Sequence, residues 1–286
     1  MRQEILIALA ISFFVLLLLI YFVPSGEDLD LRNPYWNGMK NFSAVATKSL
    51  EIESSKALLI VANGDFSKEE VEKIRRFVEE GGLLVVANEF GDSNSLLDGL
   101  GLKARFNGSM ICDRIFKYRS KELPIAFSND LILILNKATF IEGEVKEIAK
   151  TSDFSFLCEN ELISGPFVVA GEVQYGKGKV LLISDSSIFT NSMLSLGNNS
   201  DFLEKIFDRE VLVYAKRSAL SDAKDFVEFL MSSPEFRYSY IVLLSLIFLR
   251  FGKRRKREGE LEKVVRENPD WDKELLRRLE NERANR

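Results

Sequence analysis

The stretch ALLIVANGDFSKEEVEKIRRFVEEGGLLVVANEF, residues 57–90, decides the fold class. It opens with an apolar run that ends at Asn63 and closes with a second one, Leu83–Asn88. Between them Ser67 is placed as a helix N-cap, acidic residues follow it, apolar residues recur at helical spacing, and Gly81-Gly82 ends the helix. Strand, helix and strand with short connections are typical of a parallel sheet covered by helices.

The pattern continues towards the C-terminus. Leu96–Leu100 is predicted to begin a second helix, and Leu131–Leu135 and Phe167–Val173 are predicted strands. The glycine-rich piece at 175–179 indicates a hairpin turn into a last buried strand, Val180–Ser184. Because this Gly-x-Gly precedes a strand and not a helix, it does not predict a nucleotide loop. A closing helix carries Phe202, Ile206 and Phe207.

Residues at both ends of this region resemble a known family: Asn33-Pro34, Asn37-Gly38, Gly176–Asp185 (GKGKVLLISD), Phe189-Thr190-Asn191, Asn199 and Phe202-Leu203. Over about Asn33–Phe207 the chain is similar to class I glutamine-amidotransferase-like domains, and within them to the membrane-anchored domain of unknown function 4350, related to the GldG-like group. The resemblance implies a flavodoxin-like, mostly parallel sheet with helices on both faces, in an extracytoplasmic position and often among membrane-associated assembly genes.

The chain departs from a true amidotransferase in its chemistry. It contains no histidine, and neither cysteine follows an apolar strand into a helix. Triads that need histidine and imidazole metal sites are therefore excluded. We expect no catalytic residues, no cofactor, no metal and no enzyme activity.

Two apolar stretches are predicted to span a membrane. Ile5–Val23 carries no charge and reaches about 28 Å as a helix; the alternative is a cleaved signal peptide, but no small-residue cleavage pattern follows. Tyr238–Leu249 is short, and its alternative is an interfacial or buried helix. The basic block Lys253–Arg257 follows it directly, which is typical of a cytoplasmic flank.

These flanks predict a two-pass protein of the cell membrane with both termini in the cytoplasm and the central domain extracytoplasmic. The domain boundaries that follow are 1–24 for the first transmembrane anchor, 25–235 for the α/β domain, 236–252 for the second transmembrane helix and 253–286 for a basic, amphipathic helical tail in the cytoplasm.

Charge limits the partners of the central domain. Residues 24–235 contain 24 Lys and Arg against 33 Asp and Glu, a net charge of −9. Nucleic-acid binding needs clustered cations that neutralise phosphates, so we expect no nucleic-acid partner. Scarce glutamine with abundant Lys and Glu is typical of thermophile or archaeal proteins.

Polar residues at the ends of predicted strands are the candidate ligand-binding residues, because ligands of open α/β sheets bind beyond the carboxyl ends of the strands. They are Asn63, Asp65, Asn88, Glu89, Asp185 and Asn191. If three of the carboxylates converge, they suit a cation or a sugar hydroxyl. The alternative is turn chemistry, since Asn and Asp form turns and caps.

Cys112 and Cys158 are the two cysteines of the chain. The sequence leaves open whether they form a disulfide or remain two buried thiols.

The tail carries two short apolar faces, separated at Asn268-Pro269. Trp271, Leu275 and Leu279 form the second one, with i, i+4, i+8 spacing. These residues are the candidates for binding a cytoplasmic protein partner; the alternative is a solvated helix.

The sequence favours a membrane-anchored, non-catalytic binding or scaffold protein that belongs to a membrane-associated complex and whose outer domain takes a carbohydrate or other small ligand. Two alternatives stay open. One is an extracytoplasmic hydrolase that uses carboxylates alone, for example on glycans, and the other is an accessory subunit of a transport system.

Overall fold

A computed structural model describes residues 12–13, 15–47, 52–53, 55–61, 66–214, 219–239, 242, 245, 267–268 and 270–284. The chain divides into one unit of residues 24–218 and another of residues 1–23 with 219–286. The first unit contains the strands β1 Val45–Thr47, β2 Ala57–Val61, β3 Leu83–Ala87, β4 Arg105–Phe106, β5 Ile111–Asp113, β6 Ile125–Ser128, β7 Leu131–Ile134, β8 Ile141–Glu142, β9 Lys146–Thr151, β10 Ser155–Leu157, β11 Asn160–Ser164, β12 Val168–Tyr175, β13 Gly178–Ile183 and β14 Val211–Tyr214.

The helices of the first unit are α1 Lys68–Glu79, α2 Asn94–Gly99, α3 Asn191–Leu194 and α4 Asn199–Ile206, with a 3₁₀ helix at Ser186–Phe189. The second unit contains α5 Ala219–Ser232 and α6 Lys273–Ala284. The predicted strands, hairpin turn and helices between residues 57 and 207 are confirmed, with ends that shift by a few residues.

Nine of the described strands form one sheet in the order β1-β14-β2-β3-β13-β12-β9-β6-β7. The first five pair in parallel. Strands β2 and β3 are apolar runs that are buried almost throughout, because helices cover both faces of this half. Ser67 is the N-cap of α1, as predicted, and it also forms a capping box with Glu70.

The other half of the sheet is antiparallel, from β13 through β12, β9 and β6 to β7. Its strands alternate between buried and more exposed positions, as in β6. The prediction of a flavodoxin-like, mostly parallel sheet is therefore wrong. The hairpin at Gly176-Lys177 makes β12 antiparallel to β13. β9, β6 and β7 then extend the sheet beyond β12, each antiparallel to its neighbour.

Two small sheets complete the first unit, β11-β10-β5 and β4-β8. A disulfide joins Cys112 on β5 to Cys158, just after β10, across 46 residues. It decides between the two alternatives that the sequence left open. β11 is exposed along its whole length.

The core lies on both faces of the large sheet. One cluster packs alternate residues of β2 and β3, such as Leu58 and Leu84, against α1 and α2. The other packs the remaining alternate residues, such as Leu59 and Val85, against Phe189 and α4. Because successive side chains of a strand point to opposite faces, the same strands contribute to one apolar cluster on each face of the sheet.

The second unit contains a small apolar cluster in which Leu17, Val227 and Met231 are buried. Lys224 Nζ donates to the carbonyl of Val23 at 2.7 Å. α6 is exposed on most of its residues.

Within the described residues, no helix is both long enough and apolar enough to cross a membrane. This finding overturns the two predicted transmembrane helices, the two-pass membrane location and the assignment of cytoplasmic and extracytoplasmic sides. A spanning helix needs about 20 apolar residues, whereas Tyr238–Leu249 offers 12 between two arginines. Positions 5–11 and 14 of the first stretch, and 240–241, 243–244 and 246–249 of the second, lie outside the described residues.

Candidate functional site

A cavity of about 440 Å³ opens at the carboxyl ends of the parallel strands β2 and β3. We call it the carboxyl-end cavity. Its lining combines three carboxylates, one lysine, several amides and hydroxyls, and exposed aromatic rings: Asp28, Leu29, Trp36, Asn37, Val61, Asn88, Glu89, Phe90, Asp92, Asn136, Lys137, Ser186, Ser187, Thr190 and Ser192. The cavity lies where open α/β sheets bind ligands.

Glu89 is the carboxylate held most firmly at this cavity. It follows β3, and its Oε1 accepts from the backbone N–H of Ser186 at 3.0 Å and of Ser187 at 3.2 Å. The Ser186 hydroxyl also donates to both carboxylate oxygens, at 2.7 and 2.8 Å. These donors begin the 3₁₀ helix, so their N–H groups point at an acceptor. Glu89 is partly exposed and therefore faces the cavity with a fixed orientation.

Asp185 lies behind Glu89 and is fully buried. Its oxygens accept from the N–H of Ser187 at 2.9 Å, from the Ser187 hydroxyl and from the N–H of Asn136 at 2.6 Å. Burial raises the pKa of Asp185 to about 7; the negative charge of Glu89 adds to the rise, and the hydrogen bonds oppose it. Both carboxylates accept from the N–H of Ser187, so they are neighbours. The sequence had left open whether its three candidate acids converge, and the structure brings these two together.

Asn88 and Asn191 serve the backbone. Asn88 is buried, and its Oδ1 accepts from the N–H of Gly91 at 2.5 Å, which closes the turn after β3. Asn191 Nδ2 donates to the carbonyls of Asn33 and Tyr35, at 3.1 and 2.6 Å. For these two residues the turn interpretation is the better one, although Asn88 also touches the cavity wall.

The contacts of Asn191 hold the loop that carries Trp36. The N–H of Ser192 donates to the carbonyl of Trp36 at 3.1 Å, and the N–H of Asn191 donates to the carbonyl of Gly38 at 2.7 Å. A Cβ at Gly38 would lie 2.1 Å from the carbonyl oxygen of Asn33, so this close approach requires glycine. The loop therefore presents Trp36 at the cavity rim from a fixed backbone.

Trp36 and Phe90 form an aromatic rim, since their side chains are 73% and 70% exposed. Large aromatic rings are usually buried, and rings that stay exposed beside a cavity indicate a contact surface. The sequence reasoning missed both rings. It also missed Asn136 and Lys137, although they follow the predicted strand 131–135 and the rule of polar residues at strand ends could have found them.

The remaining candidates lie elsewhere. Asn63 and Asp65 lie outside the described residues. Trp271, Leu275 and Leu279 are exposed at 54%, 58% and 54% at the start and along one side of α6. Within the described ranges, no three His, Cys, Asp or Glu side chains are grouped so that they could hold a metal ion.

The model of the family described as domain of unknown function 4350 (DUF4350) matches residues 40–207, more than half of the chain. Comparison with curated proteins finds no match.

Similar solved structures include one titled "mmIFT52 N-terminal domain", with 16% identity and a TM-score of 0.41 over 52% of this chain and 74% of that one. A beta-galactosidase from Bacillus circulans sp. alkalophilus matches with 13% identity and a TM-score of 0.34, over 54% of this chain and 24% of its own. The exo-beta-1,4-mannosidase Op5Man5 from Opitutaceae bacterium strain TAV5 matches with 11% identity and a TM-score of 0.28, over 52% of this chain and 23% of its own.

Likenesses this weak carry no argument about function. The part of the resemblance that the family match shows is domain of unknown function 4350. The antiparallel half of the sheet departs from the flavodoxin-like sheet that a glutamine-amidotransferase-like domain implies.

Proposed function

The chain belongs to the family of domain of unknown function 4350, and we propose that its α/β domain is a non-catalytic binding module that takes a carbohydrate in the carboxyl-end cavity. One observation carries the proposal: a firmly oriented carboxylate, Glu89, lies in the same cavity as two exposed aromatic rings. No cofactor is part of this proposal.

The chemistry of the lining suits a polyhydroxylated ligand. Sugar hydroxyls donate to carboxylates and accept from amide and ammonium groups, which Glu89, Asn136 and Lys137 offer in one cavity. The C–H faces of a sugar ring are apolar and pack on flat aromatic surfaces such as Trp36 and Phe90. A volume of about 440 Å³ lies within the usual range for small-ligand sites.

The arrangement of the acids argues against catalysis. Asp185 is fully buried, and its oxygens accept hydrogen bonds from residues 136 and 187, so it presents no acid to the cavity. Glu89 and Asp185 together cap the first residues of the 3₁₀ helix. These hydrogen bonds are compatible with ligand binding by Glu89. A pair of carboxylates that transferred protons to a substrate would have to break them.

The alternative function is a carboxylate-dependent glycan hydrolase. One observation favours it: two carboxylates are neighbours, and Asp185 has a pKa of about 7, as a general acid requires. Hydrolysis of aryl glycosides by the full-length protein, lost in Asp185→Asn, would establish this alternative and overturn the non-catalytic proposal.

The binding proposal can be tested by tryptophan fluorescence. The chain has two tryptophans, so Trp271→Phe leaves Trp36 at the cavity rim as the single reporter. We expect saturable fluorescence changes when the full-length variant is titrated with glucose, galactose, mannose or N-acetylglucosamine. Glu89→Gln should weaken the binding of the best sugar about tenfold, since a charged hydrogen bond becomes a neutral one.

Glu159→Gln is the matched control, because Glu159 is exposed and lies outside the cavity. It should bind the sugar as the parent does. Absence of a saturable change with all four sugars, or equal weakening by both substitutions, would contradict carbohydrate binding in this cavity.

We also propose that the tail docks on a protein partner, which is the scaffold part of the function. The exposure of Trp271, Leu275 and Leu279, each above half, supports this, because a large apolar face on a helix usually marks a contact. Trp271→Ala with Leu275→Ala should abolish copurification of partners or self-association. Arg277→Ala with Arg278→Ala is the control on the same helix, and loss in both variants, or in neither, would contradict the proposal.

A further inference from the structure

A second cavity, of about 460 Å³, lies at the amino ends of the parallel strands β3 and β13, at the opposite end of the strands from the carboxyl-end cavity. We call it the amino-end cavity. Its lining combines turn backbone, apolar side chains and charged groups: Gly81, Gly82, Leu83, Ser128, Asn129, Leu131, Ile148, Glu172, Lys177, Gly178, Lys179, Leu181, Phe202, Lys205, Ile206, Asp208 and Arg209.

The charge of this cavity differs from that of the surrounding domain. Its lining has four cations, Lys177, Lys179, Lys205 and Arg209, and two carboxylates, a balance of +2. Residues 24–235 as a whole carry 24 cations against 33 carboxylates, a balance of −9. A local excess of cations on an acidic body attracts anions to one place.

Two of the four cations already have partners. Lys179 Nζ lies 3.2 Å from a carboxylate oxygen of Glu172, and Arg209 Nε lies 2.7 Å from one of Asp208. The hydrogen bond from Arg209 lowers the pKa of Asp208, and the charge of Lys179 contributes to the same shift. The charges of this cavity therefore act on one another.

The other two cations, Lys177 and Lys205, have no carboxylate within 4 Å among the residues that the structure describes. Lys205 lies in the last turn of α4, where a cation complements the carboxyl end of a helix. That role does not account for Lys177, which comes from the hairpin turn between β12 and β13. Two ammonium groups from different elements thus line one cavity, and neither forms an ion pair with a carboxylate of the described residues.

The floor of the cavity is apolar. Phe202 and Leu181 are buried, and Leu83, Leu131 and Ile206 pack partly buried around them. An inorganic ion alone would leave the exposed parts of Leu83, Leu131 and Ile206 in contact with water, whereas an organic group would cover them.

From this combination we propose that the amino-end cavity binds a small organic phosphate. The phosphate group would lie between Lys177 and Lys205, and its organic part would cover the apolar floor. Phosphate oxygens accept several charged hydrogen bonds at once, which suits ammonium groups as donors. This site is independent of the proposed carbohydrate site, because the two cavities share no residue.

Isothermal titration calorimetry of the full-length protein at low salt tests the proposal with three probes. Phenyl phosphate should bind saturably, inorganic phosphate should bind more weakly, and benzyl alcohol should give no saturable heat. Lys177→Ala with Lys205→Ala should weaken phenyl phosphate at least about tenfold.

The matched control is Lys103→Ala with Lys117→Ala, which removes the same charge from two exposed lysines outside the cavity. It should change the affinity less than about twofold. If both double variants bind phenyl phosphate equally weakly, the loss reflects the change in net charge alone, and the proposed site is overturned. Absence of saturable binding by phenyl phosphate, or equal binding of benzyl alcohol, would overturn it as well.

Discussion

The parallel and antiparallel halves of the large sheet differ in how their strands are buried. In the parallel half, β2 and β3 are covered on both faces and are apolar along their length. In the antiparallel half, β6 and β9 alternate between buried and exposed positions, and the edge strand β7 keeps Ile132 46% exposed. The parallel half is therefore buried on both faces, whereas the antiparallel half contributes alternate side chains such as Ala126 and Ala149 to the core. The carboxyl-end cavity lies where the parallel strands end.

The largest expected effect comes from opening a hole in the parallel half. Leu84 is fully buried at the centre of β3, so Leu84→Ala should lower the free energy of unfolding by about 4 kcal/mol. Ile132→Ala at the exposed edge should cost less than about 1 kcal/mol. Denaturant unfolding of both variants measures the contrast, and similar losses would contradict the assigned difference between the halves.

The next effect concerns the small sheet β11-β10-β5. The Cys112–Cys158 disulfide closes a loop of 46 residues, and its removal in a Cys112→Ala, Cys158→Ala variant should cost about 3 kcal/mol. Adding dithiothreitol to the parent protein should produce a similar loss and leave the variant unchanged. A parent protein that is insensitive to the reductant would show that the two cysteines contribute as separate thiols.

A smaller effect follows from the buried acid behind the cavity. Burial raises the pKa of Asp185 from 3.8 to about 7. Between these values the folded state holds a proton that the unfolded state releases, so stability falls as the pH rises through this window. The slope for one proton is at most about 1.4 kcal/mol per pH unit.

Asp185→Asn should remove this contribution between pH 5 and pH 7. The exposed control Asp153→Asn should keep the pH dependence of the parent protein. Unfolding free energies at both pH values check the prediction, and parallel slopes in all three proteins would mean that Asp185 does not hold the proton.

The halves also differ in how far the sequence predicts them. Residues 57–90 predict β2, α1 and β3, because continuous apolar runs and the cap at Ser67 are local signals. The hairpin turn at 175–179 makes β12 antiparallel to β13, but the pairing of β9 with β12 and of β6 with β9 joins segments that are distant in sequence, which no local signal encodes. For this reason the prediction of a mostly parallel sheet holds for the first half of the large sheet and fails for the second.

The candidate site shows the same limit. Glu89 and Asp185 could be selected as candidates, because each follows a predicted strand. That their strands β3 and β13 adjoin depends on long-range pairing, so the sequence left their convergence open. Trp36 could not be selected, since its position depends on contacts between residues 158 positions apart, from Asn191 to Asn33. The sequence therefore gave no reason to include the rim residues Trp36 and Phe90 among the candidate ligand-binding residues.

Hydrogen exchange measured by mass spectrometry, with and without the sugar that gives the largest change in Trp36 fluorescence, tests the central claim most directly. We expect protection in peptides that cover 88–92 and 186–192 at the carboxyl-end cavity, and none in peptides that cover 125–134 in the antiparallel half. Protection confined to 125–134, or no protection at a saturating sugar concentration, would contradict a ligand site at the end of the parallel strands.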